Sequence, residues 1–304
     1  MNMRVICFHN IEDKEKFRER MRWVRGRYNI VSLSSVISSE SRCQSLTSGE
    51  ISVRDVGDGN EISRLQPFTT ASARDDSVAV TFDDGYAGWM DNVVPVLREL
   101  KIPAVFFVNS GAVDGERVLG RKQDFKPLTS GQLRELAQDP LFEIGGHTTT
   151  HRDLGQKLSI SDLEEEIIAD KAKLELITGK PAHWFAYPYG RPRNISPEAV
   201  EVVKRAGYQA GFTIVPGRTS DVFSVIPSEA QRSRGISVSG VSDGNEISRQ
   251  ARDDDKRLPR FARNDDRFVL GRDSLDIGSP MWWWRVRLSG WLDWAFRIKA
   301  KLIG

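Results

Sequence analysis

The chain has 304 residues, 39% hydrophobic and 28% charged, with 44 Lys+Arg against 42 Asp+Glu. That length holds one large domain or two small ones, the net charge of +2 gives no general pull on nucleic acid, and the balanced composition excludes a wholly disordered chain. Two cysteines, Cys7 and Cys43, exclude a disulfide framework and a cysteine-rich zinc finger. In chain order, short apolar runs alternate with segments of helical period. Strands are expected at residues 4–8, 29–33, 78–82, 104–109, 141–144, 184–187 and 209–214. Helices are expected at 11–25, 92–100, 129–138 and 159–178, with one more opened by Ser196-Pro197-Glu198 and ending near Gly207. In the 159–178 helix Ile160, Leu163, Ile167, Leu174 and Ile177 fall on one face. Ser161 with Glu164 reads as its capping box, and Gly179 and Pro181 end it. Strands alternating with helices predict an α/β fold with a parallel sheet, and about seven strands predict a barrel. No apolar run is long enough to span a bilayer. Residues 1–9 carry too short an apolar stretch for a secretion signal, so the expectation is a cytoplasmic protein.

Two segments break the rhythm, 36–77 and 225–267, both rich in Ser, Arg, Asp and Gly. They resemble each other: Asp58-Gly59-Asn60-Glu61-Ile62-Ser63-Arg64 recurs as Asp243-Gly244-Asn245-Glu246-Ile247-Ser248-Arg249. The copies lie too far apart for a solenoid period and read as two insertions of one element, with a duplicated binding loop as the other reading.

Only four histidines occur: His9, His147, His151 and His183. His147 and His151 stand at i and i+4 in Gly-Gly-His-Thr-Thr-Thr-His after an apolar strand, a spacing that lets both imidazoles reach one cation. A pair of solvated histidines would look the same, but a second element favours chemistry. Val78-Ala79-Val80-Thr81-Phe82 ends in Asp83-Asp84-Gly85, which puts two carboxylates at the end of a buried-looking strand, the active face of a βα barrel. Two His and one carboxylate leave metal positions open for water and substrate, and an adjacent second carboxylate can serve as a base. A third element, Tyr187-Pro188-Tyr189-Gly190, closes a later strand.

Together and in this order these motifs resemble the polysaccharide deacetylase family with the NodB homology domain, carbohydrate esterase family 4. The resemblance covers roughly residues 78–215. It implies a distorted (β/α) barrel of NodB type, one divalent metal ion, often zinc, and an N-acetylated carbohydrate substrate from which acetate is released. Carried over by motif, Asp83 is the general base, Asp84, His147 and His151 are the metal ligands, Tyr189 offers its backbone N–H to the oxyanion, and Pro188 shapes the groove. The family places an arginine two residues before the proline of the third motif; here that position is Ala186. It also places a general-acid histidine in a C-terminal motif, and none follows His183. Residues 3–35 are similar to the start of the permuted poly-N-acetylglucosamine deacetylase branch, where a strand-borne histidine near the N-terminus takes that role. His9 is therefore the candidate acid, against a purely structural strand-end histidine, and His183 is read as structural. On this view residues 1–304 form one such domain.

Residues 281–304 mix Trp282, Trp283, Trp284, Trp291 and Trp294 with Arg285, Arg287, Arg297, Lys299 and Lys301. This basic, aromatic pattern suits peripheral contact with a membrane, including the inner membrane, or a final helix docked on the barrel. A non-haem iron oxygenase also uses two His and one carboxylate, but it leaves the second Asp and the third motif without a purpose. A catalytically impaired carbohydrate-binding homologue is the other alternative, suggested by the insertions and the absent arginine.

Overall fold

The expected alternation resolves into a parallel sheet wrapped by helices. The computed structural model describes residues 3–36, 77–115, 125–215 and 269–289. The strands and helices are β1 (Met3–Phe8), α1 (Lys14–Arg25), β2 (Asn29–Ile30), β3 (Ser77–Phe82), α2 (Trp89–Asn92), α3 (Val94–Leu100), β4 (Ala104–Val108), α4 (Ser130–Gln138), β5 (Phe142–Gly146), α5 (Ile160–Thr178), β6 (Trp184–Ala186), α6 (Pro197–Arg205), β7 (Ala210–Phe212), β8 (Val269–Leu270), β9 (Asp273–Ser274) and α7 (Met281–Leu288). The strand order is β8-β7-β6-β5-β4-β3-β1-β9, with β2 beside β3, and every pair is parallel. Every residue of β1, β3 and β4 is buried, which is why these strands read as continuous rather than alternating apolar runs.

Alternate strand residues serve two different cores. Met3, Val5, Ala79, Val105, Phe107, Ala186, Phe212 and Leu270 meet inside the curled sheet. Ile6, Phe8, Val78, Val80, Phe82 and Phe106 point outward, where Phe17 and Met21 of α1 and Leu97 of α3 cover them. The architecture is a distorted (β/α) barrel.

Among the described residues nine strands stand where about seven were expected. The two additions, β8 and β9, have two residues each, too few for any periodicity. They matter more than their length suggests: β8 pairs with β7, and β9 pairs with β1. One stretch of chain therefore ties the two ends of the strand order together. Thr213 N–H donates to the Leu270 carbonyl at 2.7 Å and Leu275 N–H to that of Cys7 at 3.0 Å. A buried ion pair joins Arg4 to Asp273 at 2.9 Å.

Three local expectations need correction. The helix expected at 92–100 divides at Val93, where two helices meet and Pro95 fits the first turn of the second. The capping box of α5 is Ser159 with Asp162, two residues earlier than expected, so Ile160 falls in the exposed first turn. The inner face of α5 is also not purely apolar, because Glu166 and Asp170 are buried on it.

Apart from Val36 and Ser77 at their margins, the two related segments 36–77 and 225–267 lie outside the described residues. So do residues 290–304 of the aromatic C-terminal stretch. The rest of that stretch is a docked helix. Trp284 is fully buried, its ring stacks on Phe8 with centroids 5.8 Å apart, and its indole N–H donates to the Asp276 carbonyl at 3.1 Å. Among the described residues no helix is long and apolar enough to cross a membrane. Trp284→Ala is expected to cost about 3–5 kcal/mol, read as a lowered urea midpoint. Trp282→Ala, at a position 61% exposed, is expected to stay within about 0.5 kcal/mol.

Candidate metal centre and active site

Register sets the site. Phe8 lies opposite Phe82, Phe82 opposite Phe106, Val108 opposite Gly146, and Ala186 opposite Phe212. The residues just past these ends, His9, Asp83, His147 and Tyr187, thus meet on one rim. They line an open cavity of about 600 Å³ together with Asp84, His151, Asp153, Tyr189 and Arg191.

Asp84, His147 and His151 converge. The Asp84 Oδ1 atom is 3.4 Å from His147 Nε2 and 3.3 Å from His151 Nε2, and the ligating atoms of all three lie within 4.8 Å of one another. Tetrahedral sites with bonds of about 2.0–2.1 Å set their ligand atoms about 3.3–3.4 Å apart, so this donor set fits one divalent cation. The tautomer fits as well. His147 Nδ1 is 2.7 Å from the Ala186 carbonyl, which can only accept. Nδ1 therefore carries a hydrogen, which leaves Nε2, on the Asp84 side, as the nitrogen a cation would use. The backbone is bent to make this possible: Asp84, Thr148, His151 and Tyr189 all have left-handed φ, at 92°, 65°, 61° and 60°, a conformation costly outside glycine and common at functional sites.

Asp83 faces the other way. It continues the inward parity of Ala79 and Thr81, and its carboxylate receives Arg272 through two hydrogen bonds of 2.7 Å. The guanidinium also donates to Thr81 Oγ1 at 3.2 Å and to the Thr213 carbonyl at 3.0 Å, with the Phe107 ring 5.2 Å away. Burial alone would push the Asp83 carboxyl up, but Arg272, aided by His147 and His9, holds it below its ordinary value. The arginine missing at Ala186 is thus supplied from the turn between β8 and β9. Its only sequence signal is the short apolar run Phe268-Val269-Leu270 ahead of Gly271-Arg272-Asp273.

His9 reaches the rim, with its ring nitrogen within 4.8 Å of both Asp83 and Cys7. Its backbone is fixed by the buried Trp89, whose indole N–H donates to the His9 carbonyl at 2.9 Å. Cys7, His9 and Asp83 make a poor cation site, because Arg272 occupies both oxygens of Asp83 and opposes a second positive charge. Burial also pushes the Cys7 thiol well up. The Tyr189 ring stands at the cavity mouth, 4.8 Å from that of His151. Pro188 is buried and does not line the cavity, whose wall there is built by Tyr187, Tyr189 and Arg191. His183 lies away from the site, its Nδ1 at 3.2 Å from Gln209 Nε2.

The polysaccharide deacetylase family model matches residues 70–211, the stretch that carries Asp83, Asp84, His147, His151 and Tyr189. That match covers a little under half of the chain. YxkH of Bacillus subtilis is 29% identical to it over 143 residues, 47% of this chain and 46% of that protein. The poly-beta-1,6-N-acetyl-D-glucosamine N-deacetylase of Staphylococcus aureus strain MRSA252 is 28% identical over 145 residues, 45% of this chain and 48% of that one. The chain spans about half the length of these relatives. The solved de-N-acetylase from Aggregatibacter actinomycetemcomitans shares the fold, with a TM-score of 0.58 at 17% identity over 92% of this chain and 97% of that one.

The domain is expected to bind one equivalent of Zn²⁺ and to gain thermal stability from it by mass action. Asp84→Asn and His147→Ala should abolish that gain, while Asp83→Asn, whose carboxylate faces Arg272, should keep it. Thermal unfolding with and without zinc reads both.

Proposed function

We propose that the domain removes acetyl groups from an N-acetylated sugar or polysaccharide in cell-surface or exopolysaccharide metabolism, by hydrolysis at a single divalent cation such as zinc. One observation carries this: the Asp84–His147–His151 trio lies beside a second carboxylate paired to a buried arginine, on the rim of an open cavity. The family match and the S. aureus relative support the substrate class.

A cation held by Asp84, His147 and His151 supplies Lewis acidity and lowers the pKa of a water, to about 7 for zinc. Asp83 takes the proton from the water that attacks the acetamide carbonyl, and Arg272 keeps that carboxylate ionised and aimed. The Tyr189 N–H, which has no hydrogen-bond partner among the described residues, donates to the oxygen that becomes negative. A single preorganised donor of this kind contributes about 3–4 kcal/mol. His9, when protonated, gives its proton to the departing nitrogen, so water and amide become acetate and a free amine. The exposed Tyr189 ring offers the sugar an apolar face. Arg272 answers one of the two grounds for an impaired homologue, the empty arginine position at Ala186; the insertions are the other. The oxygenase alternative leaves the Asp83–Arg272 pair without a purpose.

Acetate release from N-acetylglucosamine oligomers, with and without chelator, tests the reading. Release that is independent of metal, or absent from zinc-loaded protein on every oligomer, would refute it. Asp83→Asn is expected to lower turnover by about 10²–10⁴-fold with zinc still bound. Arg272→Met leaves burial acting on Asp83 without its counter-charge. The carboxyl then rises, and the acid limb of the pH–rate profile moves to higher pH. The pair's stability contribution has the matching sign: the depressed Asp83 stabilises the fold above the ordinary carboxylate range, and that contribution is lost as pH falls through its folded value.

A further inference from the structure

The loop from His147 to His151 cannot hold its own shape. Thr148 and His151 both have left-handed φ, a strain that the surroundings must offset. Those surroundings are the inner face of α5. His147 N–H donates to Asp170 Oδ2 at 3.1 Å, while Asp170 Oδ1 accepts from Ser110 N–H at 2.9 Å. Thr150 N–H donates to Glu166 Oε2 at 2.9 Å and its hydroxyl to Glu166 Oε1 at 2.5 Å. Between them, Thr149 N–H donates to the Glu166 carbonyl at 3.0 Å. From the other side, the Asn109 amide donates to the carbonyls of His147 and Thr148. Asp170 is fully buried and Glu166 is 4% exposed, and neither lines the cavity. Gly146 permits the approach, since a Cβ there would fall 2.7 Å from Asp170 Oδ2. Two buried carboxylates one helical turn apart thus spend four of their hydrogen bonds on one loop and the residue beneath it.

We propose that Glu166 and Asp170 are positioning residues: they fix the backbone of the histidine loop so that both imidazoles face Asp84, and so set the affinity for the cation. The proposal rests on the metal-centre reading above. Because zinc binds the folded protein, a variant that is less stable but still folded keeps its affinity unless the loop has moved. Zinc affinity therefore separates positioning from general stabilisation.

The test is a zinc titration of the full chain against a chromogenic chelator, with the fold of each zinc-free variant checked by near-UV circular dichroism. Glu166→Gln and Asp170→Asn are expected to raise the zinc dissociation constant about 10–100-fold while the zinc-free protein remains folded. Thr150→Val removes only the hydroxyl that faces Glu166. It should raise the constant a few-fold, and it decides the matter together with Glu166→Gln if Asp170→Asn does not fold. If folded variants bind zinc as tightly as the parent, the positioning role is overturned. If the parent binds no zinc, or Asp84→Asn binds it equally well, the metal-centre reading itself fails and the proposal falls with it.

Discussion

The ion pair between Arg272 and Asp83 is the constraint around which the barrel is organised. Both groups are buried inside the curled sheet, where an isolated charge is expensive. The guanidinium is neutralised by the carboxylate, and its other hydrogen bonds go to Thr81 and Thr213. Those partners come from β3 and from the end of β7, while Arg272 itself lies between β8 and β9. A residue that fixes the charge state of Asp83 therefore also stitches the two ends of the strand order together. Closing the barrel and preparing the carboxylate are one event, since the pair forms only when residues 269–275 lie between β7 and β1.

Two adjacent aspartates could repel each other and blur their roles. The backbone prevents this. Asp83 keeps strand geometry, with its N–H donating to the Phe8 carbonyl at 2.9 Å, and so points inward at Arg272. Asp84, at a φ of 92°, turns toward His147 and His151. Gly85 follows with φ of 80°, and a turn of two left-handed residues is where glycine is needed. The strained dipeptide sends each carboxylate to its own positive partner, a guanidinium for one and, in the proposed function, a cation for the other.

What could be read from the sequence follows from how local each signal is. The inner strands were legible because burial on both faces writes unbroken apolar runs, and Asp83-Asp84 and His147/His151 because each pair sits at the end of such a run. Arg272 was hidden for the opposite reason. It lies between strands of two residues and meets a partner 189 positions away, so neither periodicity nor spacing could announce it. Glu166 and Asp170 were hidden by default logic, since a carboxylate on a helix usually marks the solvated face. Only the histidine loop packed beneath α5 makes them inward-facing. The capping box slipped by two residues because Ser159-Ile160-Ser161-Asp162-Leu163-Glu164 contains the same motif twice in overlapping frames, and burial of Leu163 and Ile167 chooses between them.

The position of β1 draws these elements together. It lies between β3 and β9, so His9, Asp83 and Arg272 arise from three neighbouring lines of chain although they are far apart in sequence. The contacts that hold this seam lie below and outside the rim: the Arg4–Asp273 pair and the stacking of Trp284 on Phe8. None of these groups touches the cavity, yet a shift of β9 relative to β1 would carry Arg272 away from Asp83. Hydrogen bonds of 2.7 Å tolerate little displacement before they weaken, and burial then acts on the carboxylate unopposed. The aromatic helix α7 therefore clamps the seam that places Arg272 beside Asp83, although none of its residues lines the cavity.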